Sequence, residues 1–449
     1  MNEKITIIGA GSAVFTKGLI ADFIAKKWNL TIGLVDTDLD ALAVAKGLAE
    51  RMVQIKNREI TIEASTERRD VLPGSTVVIC TVGVGGRAAW LKDVLIPRKY
   101  GIFQPVGDTI MPGGLSRALR MIPAMIAIAE DVQDLCPNAL FFNYGNPMSA
   151  VCRGIRKVTN APVIGLCHGV NHVAHFLAEL LNSDPKSISY NAIGVNHLTW
   201  FTELRANGAD IMPLLRSRAD KEISELFEPD GAARSIATEP GRSPFSWQLM
   251  KTFGAFPAVL DRHVTEFFPS LFRGAASYYG ATLGTDCYNI ERVIEGGDKS
   301  FEEMKSIASG VTDIPEDFFH RSSGEHEQVV DIIESVRTDN GRIYSANLPN
   351  TGQVPNLPTD AVVESPAVAD GSGIRAIQQK SLSPGVAGTL QRPFAAIEAV
   401  VAAAIDGNRD RFVEALIIDG SVSDMQTAHA LADELVEAQA NYLPSFGQE

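Results

Sequence analysis

The sequence is poor in cysteine, in cationic residues and in long apolar segments, and each shortage argues against one class of protein. Five cysteines among 449 residues, an odd number without close spacing, do not make the framework of a disulfide-stabilised secreted protein. The formal net charge of -14 is unlike the basic surface of nucleic-acid-binding proteins, and anionic membranes would repel it. The longest apolar stretches, such as residues 394–405, are too short to cross a bilayer. With no leader-like segment before the first predicted strand, we expect a cytoplasmic enzyme without nucleic-acid or membrane partners.

Apolar runs alternate with helical patterns through the first 190 residues. The predicted strands cover residues 4–8, 30–35, 60–63, 76–81, 139–142 and 163–166. This alternation predicts an α/β fold, with a Rossmann-type doubly wound parallel sheet in residues 1–190.

A change of pattern near residues 185–195 suggests a second domain. Residues 188–205 are strand-rich and end in a predicted hairpin turn at Asn207-Gly208. Residues 340–390 are rich in proline, glycine and aspartate, so they should contain short strands or cover an active site. With a helical pattern over residues 393–443, we predict an α+β domain in residues 191–449 for substrate binding and oligomerisation.

A glycine turn follows the first predicted strand. Gly9, Gly11 and Ser12 lie between that strand and a helix, where backbone amides and the helix dipole can hold a pyrophosphate. The third glycine of the usual fingerprint is replaced by Val14. Asp36 ends the second strand, where a carboxylate accepts both ribose hydroxyls of NAD and repels the phosphate of NADP. A helix N-cap is the alternative role for Asp36.

Two further strand ends add candidate contacts. Val82 and Gly83 follow another predicted strand, where the backbone can approach a dinucleotide closely. Asn143 and Asn146 lie just beyond the strand at residues 139–142, where ligands bind in open parallel sheets. We assign Val82, Gly83 and Asn143 to the cofactor and Asn146 to the substrate, with turn formation as the alternative for the asparagines.

Cys167 and His197 each end a later strand, and a thiolate with an imidazole suits a transition metal. A site with two protein ligands would leave room for substrate oxygens, whereas the alternative is a core thiol with a structural histidine. His168, His172 and His175 are a competing ligand set on one helix face.

A charged segment near residue 261 precedes an aromatic one. Asp261, Arg262 and His263, with Glu266 one turn later, stand beside Phe267-Phe268-Pro269. This composition fits either a lined pocket or the start of a surface helix.

Taken together, these landmarks resemble the family 4 glycoside hydrolases, and the match runs in order across nearly the whole chain. The matching segments are Gly9-Ala10-Gly11-Ser12, Ile96-Pro97-Arg98-Lys99-Tyr100-Gly101, Pro112-Gly113-Gly114, Asn146-Pro147, Cys167-His168-Gly169, Asn196-His197, and Asp261-Arg262-His263 with Glu266.

The resemblance implies an oxidative mechanism rather than two-carboxylate hydrolysis. NAD removes hydride from C3 of the sugar, a base takes the C2 proton, the C1 substituent leaves, water adds, and the hydride returns. A divalent metal, manganese by resemblance although a thiolate favours zinc, stabilises the enediolate.

The resemblance also assigns roles to single residues. Cys167 and His197 would hold the metal, and Asp261 matches the position of the C2 base. His168 matches the acid near the leaving group, with Asp108 as its rival. The remaining candidates would contact the sugar, namely Asn146, Asn196, Arg262 and His263.

The substrate implied is an anionic hexoside. Cys167-His168-Gly169-Val170 resembles the branch that cleaves α-glucuronides and α-galacturonides, and sulfoquinovoside-cleaving relatives are also similar. Trp90 and residues 103–108 depart from the phosphosugar-cleaving relatives. Arg87, Arg117 and Arg262 are the candidate donors for a carboxylate or sulfonate.

Three other functions remain open. They are a neutral α-glucosidase or α-galactosidase of the same family, a net dehydrogenase of the lactate or malate type, whose fold is similar, and a nucleotide sensor without catalysis. Gly324-Glu325-His326 imitates a dehydrogenase histidine motif but lies late in the chain. A homodimer or homotetramer is expected.

Overall fold

A computed structural model describes residues 1–12, 15–224, 243–271, 277–278, 281–282, 290–319, 327–443 and 446. Gly324-Glu325-His326 and Val14 lie outside the described residues. The described strands are β1 (Asn2–Ile8), β2 (Asn29–Val35), β3 (Ile60–Ser65), β4 (Val77–Cys80), β5 (Leu140–Asn143), β6 (Ile164–Gly165), β7 (Ile188–Val195), β8 (Leu198–Ala206), β9 (Ala209–Asp210), β10 (Phe256–Pro257), β11 (Ser277–Tyr278), β12 (Ala281–Thr282), β13 (Arg342–Pro349), β14 (Val362–Asp370) and β15 (Gly373–Ala376). The described α-helices are α1 (Phe15–Ala25), α2 (Leu39–Ile55), α3 (Arg68–Val71), α4 (Gly86–Arg98), α5 (Met111–Leu135), α6 (Met148–Val158), α7 (Gly169–Leu180), α8 (Met212–Ser224), α9 (Pro244–Phe253), α10 (Asp261–Val264), α11 (Ile290–Ala308), α12 (Glu327–Thr338), α13 (Pro384–Asp406), α14 (Arg409–Asp419) and α15 (Met425–Ala438).

The first six strands form the predicted parallel sheet in the order β3-β2-β1-β4-β5-β6. This is the strand order of a doubly wound dinucleotide-binding fold. Ile7 and Ile8 of β1 point to opposite faces of the sheet, and both are buried because helices cover both faces. One apolar core includes α5, α6 and α13, and the other includes α1, α2 and α12. The Rossmann-type prediction is therefore confirmed.

The chain returns to this sheet late in the sequence. β13 pairs antiparallel with β6, and β14 links β13 to β7, so one sheet continues as β6-β13-β14-β7-β8-β10. The segment 340–390 therefore contains strands, as one of its two predicted alternatives required, and β13, β14 and β15 all belong to the main sheet. The predicted boundary between residues 190 and 191 falls within β7, so the two-domain division stays a prediction about folding units.

Two tight turns connect the strands that follow β6. Asn207 and Gly208 both have positive φ and join β8 to β9, as predicted for a hairpin. Asn196 and His197 form the two-residue turn between β7 and β8. Within the described residues, none of the helices combines the length and the apolar character that crossing a bilayer requires.

Candidate active site

The turn after β1 requires glycine at its first position. Gly9 has a φ of +89°, and a Cβ on it would lie 2.9 Å from Val82 N. The ends of β1 and β4 are therefore in backbone contact, which leaves no space for a side chain. Ser12 accepts a hydrogen bond from Phe15 N at 3.3 Å and so supports the start of α1.

Asp36 lies directly beside this glycine turn. Its carboxylate accepts hydrogen bonds from Gly11 N at 2.7 Å and from Asp38 N at 3.0 Å. The N-cap of α2 is Asp38, which accepts from Asp40 N and Ala41 N. The alternative role of Asp36 as the helix cap is therefore wrong, and its contact with the ribose of NAD stays a prediction.

Arg117 of α5 lies between the turn at Val82-Gly83 and the turn that contains Asn146. Its Nη2 is 3.5 Å from the point where a Cβ on Gly83 would lie, and its Nε donates to the Asn146 carbonyl at 2.9 Å. Burial lowers the pKa of Arg117, although Asp108 opposes this effect. The guanidinium thus joins the predicted cofactor and substrate regions.

Asn143 does not point to a ligand. Its side chain is fully buried, donates to the Gly145 carbonyl at 2.9 Å and accepts from Gly145 N at 2.9 Å. The predicted contact with the cofactor is therefore unsupported, because the amide forms the turn after β5.

Three side chains from distant segments form the centre of the site. Asp108 precedes α5, His197 lies in the β7–β8 turn, and His263 belongs to α10. Their potential ligand atoms all lie within 4.8 Å of one another, and the two imidazole centroids are 4.1 Å apart. Among the residues that the structure describes, this is the one set of three such side chains. The sequence predicts His197 as a ligand but assigns other roles to Asp108 and His263.

Hydrogen bonds hold this cluster in place. The Thr109 hydroxyl lies 2.7 Å from Asp108 Oδ1 and 2.7 Å from His197 Nδ1, and Asn146 Nδ2 donates to Asp108 Oδ2 at 2.9 Å. The φ of His197 is +68°, a left-handed conformation that tight turns between antiparallel strands commonly require.

The electrostatics of the cluster suit a cation. Burial lowers the pKa of His197 to about 4, and burial also lowers the pKa of His263. Burial alone would raise the pKa of Asp108, but His197, His263 and Arg117 outweigh it and lower that pKa to about 2. Neutral imidazoles beside an ionised carboxylate are the protonation states that a metal ion requires.

Cys167 and His168 stand at the start of α7. Cys167 is 9% exposed, and its sulfur lies 3.4 Å from Gly169 N. It is not a member of the three-residue cluster, so its role as a ligand stays a prediction. His168 is close enough to lower the pKa of both His197 and His263. His168, His172 and His175 do not bring their ring nitrogens together, so the competing metal site is wrong.

Asp261 holds the start of α9. It is fully buried and accepts hydrogen bonds from Phe245 N at 2.9 Å, Ser246 N at 2.8 Å and Ser246 Oγ at 2.7 Å. A carboxylate with both oxygens bonded at a helix N-terminus is stabilised there and has no exposed face for a sugar proton. This geometry does not support its predicted role as a base.

Asn196 is also occupied within the protein. It is 1% exposed, and its Nδ2 donates to Glu364 Oε2 at 3.3 Å. Its Oδ1 is buried and has no hydrogen-bond partner, so the substrate contact through Asn196 stays a prediction, while its amide nitrogen connects the β7–β8 turn to β14.

Glu266 and Trp90, to which the sequence assigns no role in the site, hold the loop before Asp108 in place. Glu266 Oε1 accepts from Val106 N at 2.8 Å and from Gly107 N at 2.7 Å, and Trp90 Nε1 donates to the Val106 carbonyl at 2.7 Å. Burial raises the pKa of Glu266 to about 8. The position of Glu266 beside aromatic residues suggests a pocket, but no local pattern indicates that it binds backbone amides about 160 residues earlier.

The arginines predicted to recognise the substrate differ in their surroundings. Arg87 pairs with Asp298 at the surface, at 2.7 Å between Nε and Oδ1. Arg262 follows Asp261, and its Nε is buried without a hydrogen-bond partner. Arg117 and Arg262 therefore remain the candidates next to the cluster.

Comparison with known proteins places the chain in a family. Residues 4–183 match family 4 glycosyl hydrolases, and residues 192–422 match the family 4 glycosyl hydrolase C-terminal domain. An α-glucosidase of Erwinia rhapontici is 30% identical, with 99% of each chain covered. An α-galacturonidase of Bacillus subtilis is 28% identical, with 97% of each chain covered.

Solved structures agree with this result. A putative glucosidase from Bacillus subtilis superposes with a TM-score of 0.86 at 27% identity, covering 97% of this chain and 99% of the other. A 6-phospho-alpha-glucosidase from gut microorganisms, in complex with NAD and Mn²⁺, has a TM-score of 0.84 at 19% identity and covers 99% of both chains. A malate dehydrogenase from Cryptosporidium parvum, with a TM-score of 0.53 at 15% identity over 90% of this chain and 99% of the other, shares the fold alone. The chain belongs to the family 4 glycosyl hydrolases and is a glycoside hydrolase.

Proposed function

We propose that this protein cleaves an O-glycoside of an anionic hexose, with NAD and a divalent metal ion as cofactors. The observation that carries the proposal is the cluster of Asp108, His197 and His263, which Arg117 connects to the nucleotide turn. When bound, NAD would supply a hydride acceptor for C3 of the sugar, and the metal would supply a Lewis acid for its hydroxyls.

The residues present fit both cofactors. The Gly9 turn has no room for a Cβ, and the Asp36 carboxylate lies beside it, as a dinucleotide with free ribose hydroxyls requires. The cluster supplies two neutral imidazoles and an ionised carboxylate. A carboxylate is a ligand that manganese prefers, whereas a thiolate alone would favour zinc. We therefore infer that His197, His263 and Asp108 hold the metal, with Cys167 as a further candidate.

Asp108 has two possible roles, as the acid near the leaving group and as a metal ligand, and its protonation state distinguishes them. A carboxyl with a pKa of about 2 is ionised at neutral pH and has no proton to donate to a leaving group. Asp108 therefore fits a metal ligand, and His168 remains the candidate acid. Asn146, whose amide orients Asp108, remains the candidate contact to the sugar.

The choice of an anionic sugar rests on the two arginines beside the cluster. The Arg262 Nε is buried without a partner, and Arg117 lies next to Asp108 and Asn146. A guanidinium beside the sugar is suited to a carboxylate or sulfonate of the substrate, because it can donate two parallel hydrogen bonds. Trp90 uses its only donor on the Val106 carbonyl, so it cannot replace an arginine in binding a phosphate.

A panel of chromogenic glycosides tests the proposal. Glucuronide, galacturonide, sulfoquinovoside, glucoside and galactoside are each assayed with NAD and Mn²⁺, with His197→Ala and a reaction without NAD as controls. We expect the fastest release from an anionic glycoside, without accumulation of NADH. Faster turnover of a neutral glucoside or galactoside, as the name of the Erwinia relative suggests, would contradict the choice of sugar. Stoichiometric NADH would indicate a net dehydrogenase instead.

Two predictions about organisation accompany this function. We propose a homodimer or homotetramer, which light scattering after gel filtration measures. We also propose that residues 1–190 bind NAD and that residues 191–449 supply most of the substrate contacts. Limited proteolysis with and without NAD would show whether the two parts are protected separately.

A further inference from the structure

The Thr109 hydroxyl occupies a position between two members of the cluster. It lies 2.7 Å from Asp108 Oδ1 and 2.7 Å from His197 Nδ1, and it is 8% exposed. Both distances are those of good hydrogen bonds. One hydroxyl therefore joins a carboxylate to an imidazole.

The number of available protons fixes the direction of both bonds. A threonine hydroxyl has a single hydrogen to donate, and an ionised carboxylate can only accept. The Asp108 Oδ1 therefore receives the Thr109 hydrogen, which leaves only lone pairs on Oγ1 for His197. The bond to Thr109 must then be donated by an N–H at His197 Nδ1.

The opposite arrangement is less favourable. If Thr109 donated to His197 Nδ1, the proton of the neutral ring would lie on Nε2, and Asp108 Oδ1 would lose this donor. A hydrogen bond to a charged acceptor is about twice as strong as one between neutral groups. Asn146 already serves the other carboxylate oxygen, so it does not compensate Oδ1.

We propose that Thr109 is a positioning residue that fixes His197 as the Nδ1–H tautomer and leaves the Nε2 lone pair available to a divalent cation. The conclusion about the cation rests on the proposed function, whereas the tautomer does not. The consequence for binding follows because a metal requires an unprotonated ring nitrogen, whose orientation and basicity depend on the bond at the other nitrogen.

The first test measures the tautomer directly. The full-length protein is labelled with ¹⁵N-histidine and studied by NMR after metal removal, and His197→Gln identifies the His197 signals. We expect the nitrogen shifts of a neutral ring protonated at Nδ1. A wild-type ring protonated at Nε2 would overturn the proposal without any variant.

Two variants extend the test to the metal. Thr109→Ser keeps the hydroxyl, and Thr109→Val keeps the shape but removes it. We expect the serine variant to retain the tautomer and the Mn²⁺ affinity, measured by electron paramagnetic resonance titration. The valine variant should show a mixture of tautomers and a roughly 10–100-fold loss of affinity.

A folded Thr109→Val protein with an unchanged tautomer and unchanged Mn²⁺ affinity would contradict the proposal. The melting temperatures of Thr109→Val and Thr109→Ser show whether both variants are folded when their tautomers and Mn²⁺ affinities are compared. Failure of the glycoside panel together with an Nδ1–H signal would overturn the proposed function and support this inference.

Discussion

Replacement of Glu266 by glutamine should stabilise the protein increasingly as the pH rises. Glu266 is 1% exposed, and one oxygen holds two backbone amides while the other has no partner. Glutamine retains an acceptor of the same shape for Val106 N and Gly107 N. It differs chiefly in having no proton to lose, so the exchange isolates the cost of the buried carboxyl.

The size of the effect follows from the pKa of Glu266. Burial raises it from 4.5 to about 8 in the folded protein. The unfolded chain loses this proton near pH 4.5, whereas the folded protein keeps it until about pH 8. The wild type therefore loses free energy of unfolding across this window, at about 1.4 kcal/mol per pH unit, whereas the variant does not. By pH 7 the difference should reach about 3 kcal/mol.

Thermal unfolding measures this difference. For a chain of this length about 1 kcal/mol corresponds to about 1 °C, so the variant should gain about 3 °C relative to wild type between pH 4.5 and pH 7. Metal is removed beforehand, and Glu130→Gln, at an exposed position on α5, is the matched control. Glu364, whose pKa burial raises to about 7, contributes equally to both proteins and cancels. Parallel melting curves for wild type and Glu266→Gln across this range would refute the reasoning.

Three further predictions concern the cofactors and α9. Asp36→Ala should weaken NAD binding and reduce the preference for NAD over NADP, and fluorescence titration measuring equal or better NADP affinity in the wild type would contradict it. His263→Ala should lower Mn²⁺ affinity more than Cys167→Ala, by electron paramagnetic resonance titration; the reverse order would restore the site predicted from sequence. Asp261→Asn should lower the free energy of unfolding by about 2–4 kcal/mol because an amide meets the donors at the start of α9, and an unchanged melting temperature would argue against that role.

Local features of the fold were predictable from sequence. β1 and the Gly9 turn depend on a β-branched run followed by glycine, and α2 fills the interval between the second and third predicted strands. The Asn207-Gly208 hairpin is equally local, since both residues adopt the positive φ that the turn requires. The insertion of β13 and β14 between β6 and β7 was not predictable, because strand neighbours so far apart in sequence are chosen by packing and leave no periodic signal.

The candidate site likewise contains one residue that the sequence predicts and others that only the fold brings together. His197 could be identified because it ends a strand, as ligands of open sheets do. Its partners Asp108 and His263 lie 89 residues before and 66 residues after it, and only the folded topology brings the three side chains within 4.8 Å. Thr109 gives no signal in the sequence, because its importance comes from a bond across 88 residues.

Asp261 shows why a residue type in a motif does not determine its role. A carboxylate close to pocket residues can take a proton or hold a helix, and both uses favour an acid beside basic and aromatic neighbours. The hydrogen bonds in the structure distinguish the two roles. Asp261 accepts three hydrogen bonds from α9, whereas His263, two residues later, belongs to the cluster with Asp108 and His197. Removal of Asp261 would therefore displace His263 as well, and loss of turnover alone would not identify a base. A substrate deuterated at C2 distinguishes the two. Loss of the base makes removal of the C2 hydrogen limit the rate and raises the kinetic isotope effect on turnover, whereas a variant that is only destabilised keeps the wild-type isotope effect in the turnover that remains.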